Sequence, residues 1–178
     1  FEELRAAGKT RYVALSNYTP ERIEQWCGVA TDMGAQAPVA LQPHYNLLHR
    51  GDVEGPGNRG DVAARHDMGL IPYFSLAAGF LTGKYRQGEA VVSSRSSMVA
   101  DYLRPECFAV VEALAEIAAA HATEPAAVAL TWLRDRPGVV APLASARTTE
   151  QLAPILTALT LRLAPEETDR LTSLSGAI

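Results

Sequence analysis

The sequence has few cysteines, no long apolar run and no excess of positive charge. Its two cysteines, Cys27 and Cys107, lie far apart and match no metal or redox spacing. We therefore expect two buried thiols in a reducing cytoplasm and no metal site. The 16 basic and 20 acidic residues leave a net charge of −4, which argues against nucleic acid as a partner. No apolar run approaches the ~20 residues that span a bilayer and no signal peptide is recognisable, so we expect no membrane partner.

The composition is otherwise that of an ordinary globular protein. The 178 residues are 48% hydrophobic and 20% charged, which is enough apolar material for one sizeable core. Residues 1–8 have the pattern of the last turns of an amphipathic helix that stops at Gly8. Because the sequence opens inside a helix, we interpret residues 1–178 as a single, partial domain.

Four short apolar runs alternate with helical segments along the chain. The strands are predicted at residues 11–15, 38–42, 70–74 and 139–143. The helices are predicted at residues 20–34, at 61–68, from Pro105, from Pro125, at 148–159 and from Pro165. Because the strands do not alternate in polarity, they are expected to be parallel and covered by helices, which is an α/β fold. In the last helix we expect Leu171 and Leu174 to face inward, and we predict a lid-like polar loop at residues 87–101.

The stretch at residues 69–86 combines a buried apolar run with a glycine-rich loop and two cations. Its small residues permit a close approach of the backbone to a ligand, and Lys84 and Arg86 follow directly. Such a loop suits an anionic ligand such as a phosphate. A core strand followed by an ordinary surface loop with solvated charges explains the same pattern, so the stretch alone does not decide between them.

Polar side chains follow each of the four predicted strands. They are Ser16, Asn17, Gln42, Ser75, Ser145 and Arg147. The carboxyl ends of parallel strands meet at one edge, where α/β barrels and open sheets bind their ligands. The sequence therefore predicts one site that is built from four successive strand ends.

Four blocks of sequence also carry a family resemblance. They are residues 8–17 (GKTRYVALSN), 41–50 (LQPHYNLLHR), 69–84 (GLIPYFSLAAGFLTGK) and 142–152 (PLASARTTEQL). The chain resembles the C-terminal half, about strands 5–8, of the TIM (β/α)8 barrel of the NADPH-dependent aldo-keto reductases. The blocks resemble the branch that contains potassium-channel β-subunits and many bacterial reductases.

The resemblance implies that the strand ends hold NADP(H), with NAD(H) as the alternative cofactor. It places Ser16, Asn17 and Gln42 at the nicotinamide carboxamide, for which serine and amide groups supply donors and acceptors. It places Tyr73 against the nicotinamide ring. In the alternative interpretation, none of these residues contacts a cofactor. Ser16 and Asn17 then form a turn, Gln42 is a buried amide with its hydrogen bonds satisfied, and Tyr73 is a core residue.

The resemblance also implies where the phosphates lie. The loop beside the pyrophosphate consists of Phe74, Ser75, Leu76, Ala77 and Ala78. Lys84 and Arg95 supply cations to it, although both also suit a solvated surface. Ser145, Arg147 and Gln151, at the start of the helix near residue 148, match the site for the adenosine 2′-phosphate, and a helix N-terminus with an arginine suits a dianion.

The sequence departs from the family pattern at two places. Pro154 and Ile155 occupy positions where many members have an acidic residue and an asparagine that contact the adenosine. Phe74 and Ser75 replace a common serine and a common proline just past the stacking tyrosine. Four further residues at these strand ends invite a catalytic role, but we interpret them as structural or loop residues: His44, Tyr45, His49 and Tyr85.

The resemblance implies an aldo/keto reductase that reduces small aldehydes or ketones to alcohols. In the family the catalytic Asp, Tyr, Lys and His lie on earlier strands, so we assign no catalytic residue here and expect this chain alone to be inactive. One alternative is a non-catalytic nucleotide-sensing or regulatory subunit of the same fold. Another is a phosphate-binding barrel enzyme that lacks nicotinamide stacking.

Overall fold

The computed structural model describes residues 1–85, 87 and 96–176. In chain order, the elements are α1 (Glu2–Ala6), β1 (Ala14–Ser16), α2 (Pro20–Asp32), β2 (Ala40–Gln42), α3 (Arg59–Arg65), β3 (Gly69–Leu70), α4 (Ser96–Val99), α5 (Pro105–Ala120), α6 (Pro125–Arg134), α7 (Thr149–Thr157) and α8 (Pro165–Ser175). Two 3₁₀ helices, Ala77–Thr82 and Ala100–Tyr102, connect β3 to α5 together with α4.

The three strands form one parallel sheet in the order β1–β2–β3. The backbone of Ala14 pairs with Ala40, and Ala40 pairs with Gly69. Val139 extends this order through a parallel bridge to Leu70. The predicted α/β class with parallel strands is therefore confirmed.

The strands are shorter than predicted. β1 begins at Ala14 rather than at residue 11, β3 is limited to Gly69–Leu70, and the fourth apolar run forms a single bridge at Val139. Pro72 and Pro142 interrupt the last two runs, and proline has no N–H to donate to a sheet. After Leu70 and after Val139 the chain therefore continues as loop where a longer strand was predicted.

Most helices begin where the sequence predicts. Proline is the first residue of α2, α5, α6 and α8, where its missing N–H costs no hydrogen bond. Thr19 caps α2 by accepting a hydrogen bond from the Arg22 N–H at 3.4 Å. Thr148 caps α7 in the same way, with the Gln151 N–H as donor.

One expectation about the helical segments is wrong. Leu174 is 36% exposed, whereas Leu171 is fully buried, because the buried side of α8 runs from Leu171 to Ser175 one turn later. The end of the polar segment is helical, at Ser96–Val99 and Ala100–Tyr102, and its lid-like role stays a prediction. Residues 88–95 of that segment lie outside the described residues.

The core joins buried side chains of the strands with those of helices α2, α3, α5, α6 and α8. Trp132 is buried at its centre and donates a hydrogen bond from Nε1 to Thr172 Oγ1 at 3.0 Å. The guanidinium of Arg136 lies 4.6 Å from the centre of the Trp132 ring, which is a cation–π distance. Cys27 and Cys107 are both buried free thiols, as predicted.

Candidate functional site

The carboxyl ends of β1 and β2 are joined through one carbonyl. The hydroxyl of Ser16 donates to the Gln42 carbonyl oxygen at 3.2 Å, and the Asn17 N–H donates to the same oxygen at 3.4 Å. Asn17 has a φ of 57°, a left-handed conformation that asparagine tolerates better than most residues. These bonds turn the chain sharply at the end of β1 and hold the Asn17 side chain above the sheet edge.

Tyr73 is connected to this turn across the sheet. Its hydroxyl donates to Asn17 Oδ1 at 2.9 Å, which spans the distance from the end of β1 to the end of β3. The bond fixes the direction of a partly buried aromatic ring. Because the oxygen of the Asn17 amide accepts this bond, its nitrogen keeps two donors for an acceptor outside the sheet.

The His44 ring packs against the Tyr73 ring. The His44 ring lies 5.5 Å from Tyr73, 5.3 Å from Phe74 and 3.9 Å from the parallel ring of His49, measured between centroids. Burial, and then the neighbouring His49, lowers the pKa of His44 to about 4. His44 is therefore neutral at physiological pH and packs as an aromatic ring.

Asn46 holds the backbone that follows the tyrosine. This residue is 0% exposed, its Nδ2 donates to the Phe74 carbonyl oxygen at 2.9 Å, and its Oδ1 accepts from the Leu48 N–H at 2.8 Å. A buried amide with both ends bonded makes a rigid link between two loops. Sequence reasoning missed this role, although the position of Asn46 in the second block was a usable signal.

The loop after β3 stores backbone strain. Phe74, Ala77 and Ala78 have φ values of 53°, 49° and 56°, all in the left-handed region that residues with a side chain avoid. Each such residue costs about 1–3 kcal/mol, and such conformations cluster at ligand-binding sites. The loop is therefore held in an unfavourable path by its surroundings rather than by its own preference.

Three of the predicted loop residues are buried. Ser75 is 2% exposed and donates from Oγ to the Leu143 carbonyl oxygen at 2.8 Å, which joins the third and fourth strand ends. Ala77 and Ala78 are 0% and 6% exposed. Ser75 and Ala77 do not line the cleft beside the loop and support it from within.

An open cleft of about 520 Å³ lies beside this loop. It brings together seven of the residues predicted to contact the cofactor: Phe74, Leu76, Ala78, Lys84, Ser145, Arg147 and Gln151. The other predicted residues, Ser16, Asn17, Gln42 and Tyr73, lie at the neighbouring strand ends. Arg95 falls outside the described residues.

Two cations line the cleft among the described residues, and they are placed by different means. Gly79 has a φ of +95°, and a Cβ at this position would lie 3.1 Å from Lys84 Nζ, so glycine makes room for the ammonium group. Arg147 is exposed and precedes α7, and its backbone N–H donates to Gln151 Oε1 at 3.0 Å. A lysine, an arginine and the N-terminus of α7 together favour an anion in the cleft.

Part of the cleft wall is apolar. Pro154 and Ile155 line it, the two residues that depart from the family pattern. Pro154 lies inside α7 and has no N–H to offer. This part of the wall offers a ligand no side-chain hydrogen bond.

Tyr45 has a structural role, which agrees with the interpretation from sequence. Its hydroxyl donates to Glu54 Oε1 at 2.6 Å, and burial together with this carboxylate raises the pKa of the phenol. Glu54 is also bound by Arg50, whose Nη2 lies 2.7 Å from Glu54 Oε2. A phenol locked in this network keeps its proton and does not donate it to a substrate.

The described part of the chain contains no group of three or more His, Cys, Asp or Glu side chains arranged to hold a metal ion. None of its helices combines the length and the apolar content that crossing a membrane requires.

The comparison with protein families decides the identity of this fold. The sequence profile of the Aldo/keto reductase family matches residues 1–175. The chain belongs to the aldo/keto reductase family. The family resemblance of the four sequence blocks is therefore confirmed.

Individual relatives of this aldo/keto reductase chain are moderately similar to it. "Protein tas" of Escherichia coli K12 is 30% identical over 167 residues, which are 92% of this chain and 47% of that protein. A probable voltage-gated potassium channel subunit beta of Oryza sativa is 28% identical over 177 residues, 92% of this chain and 52% of that protein. An L-glyceraldehyde 3-phosphate reductase of Escherichia coli O157:H7 is 32% identical over 154 residues, 82% and 43% of the two chains.

A solved structure confirms the fold. The glycerol dehydrogenase AKR11B4 of Gluconobacter oxydans matches with a TM-score of 0.80 and 22% sequence identity, over 99% of this chain and 52% of that one. At this identity the match supports the fold alone. The chain spans about half the length of the relatives that it matches.

Proposed function

We propose that this chain forms the NADP(H)-binding part of an aldo/keto reductase that reduces small aldehydes or ketones to alcohols. The cofactor donates the hydride, and this chain holds and orients the cofactor. NAD(H) is the alternative cofactor. We further propose that the chain is the C-terminal half of a (β/α)8 barrel, which agrees with its coverage of about half of its relatives.

The cleft beside the strained loop is the observation that carries this proposal. It unites an aromatic wall at Phe74, a lysine and an arginine with the N-terminus of a helix. A dinucleotide needs these features together, since it has an aromatic ring at each end and a pyrophosphate between its two ribose groups. The fixed Tyr73 ring and the Asn17 amide at the adjoining strand ends suit a nicotinamide ring with its carboxamide.

The proposal assigns no proton donor to this chain. Reduction of a carbonyl needs a hydride from the nicotinamide and a proton from a positioned acid. Tyr45 is bound to Glu54, and His44 is neutral and packed between other rings. We therefore expect the acid to come from a part of the barrel outside residues 1–178, and the chain to act through cofactor binding.

A turnover assay of the intact protein tests the proposal. NADPH absorbance is followed with a panel of small aldehydes and ketones, and with the carbonyl omitted as the control. We expect NADPH consumption that depends on the carbonyl compound. Saturable NADPH binding without turnover on any member of the panel would favour the sensing alternative, and absence of both would contradict the proposal.

A further inference from the structure

A second open cavity adjoins the cofactor cleft. Its volume is about 500 Å³, which is within the range of small-molecule sites. It shares three lining residues with the cleft, Phe74, Ala78 and Met98, so a molecule in it lies next to a ligand in the cleft. We call it the aromatic cavity after the four described lining residues that carry a ring: His44, His49, Phe74 and Tyr102.

The aromatic cavity reaches the tyrosine that is proposed to stack on the nicotinamide. The centroid of the Tyr73 ring lies 5.5 Å from that of His44 and 5.2 Å from that of Phe74, and both of these rings line the cavity. A parallel bridge also joins the backbones of His44 and Tyr73. The cavity therefore begins one ring away from Tyr73, and the substituent of a carbonyl compound that reacts there can extend into it.

The rings of the cavity are packed against one another and uncharged at His44. The His44 and His49 rings are parallel at 3.9 Å, and the Phe74 ring meets His44 edge-on at 5.3 Å. The Tyr102 hydroxyl lies 3.4 Å from His44 Nε2. Burial lowers the pKa of His44 to about 4, so this ring is neutral at physiological pH. These walls present ring faces and edges to a ligand.

The charged groups of the cavity favour no anion. Arg104 is the one lysine or arginine among the described lining residues, and its Nη1 lies 3.2 Å from Glu106 Oε1. His49 Nε2 lies 3.5 Å from Asp52 Oδ2. The Asp101 carboxylate also lines the cavity and repels an anion. Because taking an unpaired charge out of water is costly, the cavity suits an uncharged group better than a phosphate or a carboxylate.

We propose that the aromatic cavity receives the substituent of the carbonyl substrate, and that the protein prefers uncharged aryl-substituted aldehydes and ketones to those that carry a carboxylate or a phosphate. This inference rests on the proposed function and narrows its substrate class. Aromatic rings bind an aryl group through offset and edge-to-face contacts. One of these rings, Phe74, stands where the family pattern has a serine, so this wall is a feature of the present chain.

The preference is tested on the intact wild-type protein by following NADPH oxidation with three aldehydes. They are propanal, 3-phenylpropanal and 3-(4-carboxyphenyl)propanal, in which saturated carbons separate the carbonyl from the ring and keep its intrinsic reactivity alike. We expect kcat/KM for 3-phenylpropanal to exceed that for propanal about tenfold, because the ring is buried. The value for the carboxylated compound should be lower than that for 3-phenylpropanal by about tenfold.

Two results with the wild type would overturn the inference while leaving the proposed function intact. One is a kcat/KM for propanal or for the carboxylated aldehyde that equals or exceeds the value for 3-phenylpropanal. The other is reduction of other carbonyl compounds without reduction of 3-phenylpropanal. An intact protein that reduces no carbonyl compound at all would instead contradict the proposed function, and the inference with it.

His49→Ala tests whether the aromatic cavity is the place where the aryl group binds. His49 lines this cavity but not the cofactor cleft. We expect kcat/KM for 3-phenylpropanal to fall about fivefold through a higher KM, because one ring of the wall is lost. The value for propanal and the dissociation constant of NADPH should not change. His49→Phe keeps a ring and should restore the wild-type value.

His66→Ala is the matched control. His66 is also a half-buried histidine, but it lines neither the aromatic cavity nor the cleft. We expect this variant to leave all these constants unchanged. A wild-type kcat/KM for 3-phenylpropanal in His49→Ala, or an equal fall for propanal, would overturn the inference.

Discussion

Gly79 keeps open the space that the Lys84 ammonium occupies. A side chain there would meet Nζ at 3.1 Å and would also have to adopt a φ of +95°. Lys84 Nζ in turn lies 5.0 Å from the centre of the Tyr85 ring. The cation is thus placed by a glycine and an aromatic ring, and its position depends on both.

We expect Gly79→Ala to weaken NADPH binding about twofold to threefold, because the flexible Lys84 ammonium has to shift by a few tenths of an ångström away from the new Cβ. Gly34→Ala is the control, since Gly34 also has a positive φ but a Cβ added there would meet nothing within 4 Å. Both variants should lose about 1 kcal/mol of stability from the strained backbone. Equal NADPH affinity in the two variants, measured by fluorescence titration, would contradict the role given to Lys84.

The pKa of His44 leads to a second prediction for a single residue, which concerns the pH dependence of stability. Its pKa falls from 6.5 to about 4 on folding, chiefly through burial. Between these values the unfolded chain binds a proton that the folded chain does not, so this residue contributes stability above pH 6.5 that is lost as the pH falls towards 4. Asp52 opposes the shift, and His49 supports it.

We therefore expect His44→Phe, which keeps an aromatic ring, to lose less stability than the wild type on acidification. Urea unfolding at about pH 7 and about pH 5 measures the difference. Acidic residues that titrate in this range are present in both proteins and cancel in the comparison. A wild-type pH dependence in the variant would show that His44 does not titrate as described.

Sequence reasoning predicted roles for single side chains but not the contacts that support these side chains. Tyr73 and Asn17 were both predicted as site residues, but nothing in their spacing indicated the hydrogen bond that joins them. The packing of His44 against Tyr73 and the bonding of Asn46 to Phe74 also depend on how distant loops meet. Such contacts follow from tertiary structure, which local patterns do not encode.

At the scale of elements, α7 presents its first turn to the cleft. Thr148 caps this helix, and Ser145, Arg147 and Gln151 stand around the cap. The uncovered N–H groups of a helix start and its dipole favour an anion. Helix α2 has an equivalent threonine cap, Thr19, which lies outside the cleft lining and provides a comparison within the same protein.

We expect Thr148→Val and Thr19→Val to destabilise the protein to a similar extent, about 1 kcal/mol each, because both remove an N-cap bond. Only Thr148→Val should also weaken NADPH binding. Thermal unfolding and fluorescence titration of the two variants measure these effects. If both variants bound NADPH like the wild type, the start of α7 would not be part of the phosphate site.

The sequence predicted the type and order of the elements but not the lengths of the strands. Caps and prolines mark helix starts locally, which is why α2, α5, α6 and α8 begin at the expected residues. An apolar run containing proline does not show how far the sheet pairing continues. The two-residue β3 and the single bridge at Val139 were therefore not foreseen, and neither was the strained loop that follows β3.

At the scale of the whole molecule, both outer sides of the sheet expose apolar side chains. Tyr12 and Met33 are 61% and 73% exposed on the β1 side, and Val140 is 70% exposed on the other. The edges of an open sheet also leave backbone groups that can pair with further strands. Both features agree with the proposal that further strands complete the barrel on both sides of this chain.

The central claim is that the strand ends and the cleft form one binding site for a nicotinamide nucleotide. Titration of the intact protein with NADPH, followed by nicotinamide fluorescence, tests it most directly. We expect saturable binding that Tyr73→Ala and Lys84→Ala each weaken about tenfold, since one removes ring stacking and the other a charged hydrogen bond. Lys9→Ala, a matched change at an exposed lysine away from the cleft, should bind NADPH like the wild type. No binding by the intact protein, or equal binding by all three variants, would contradict the account.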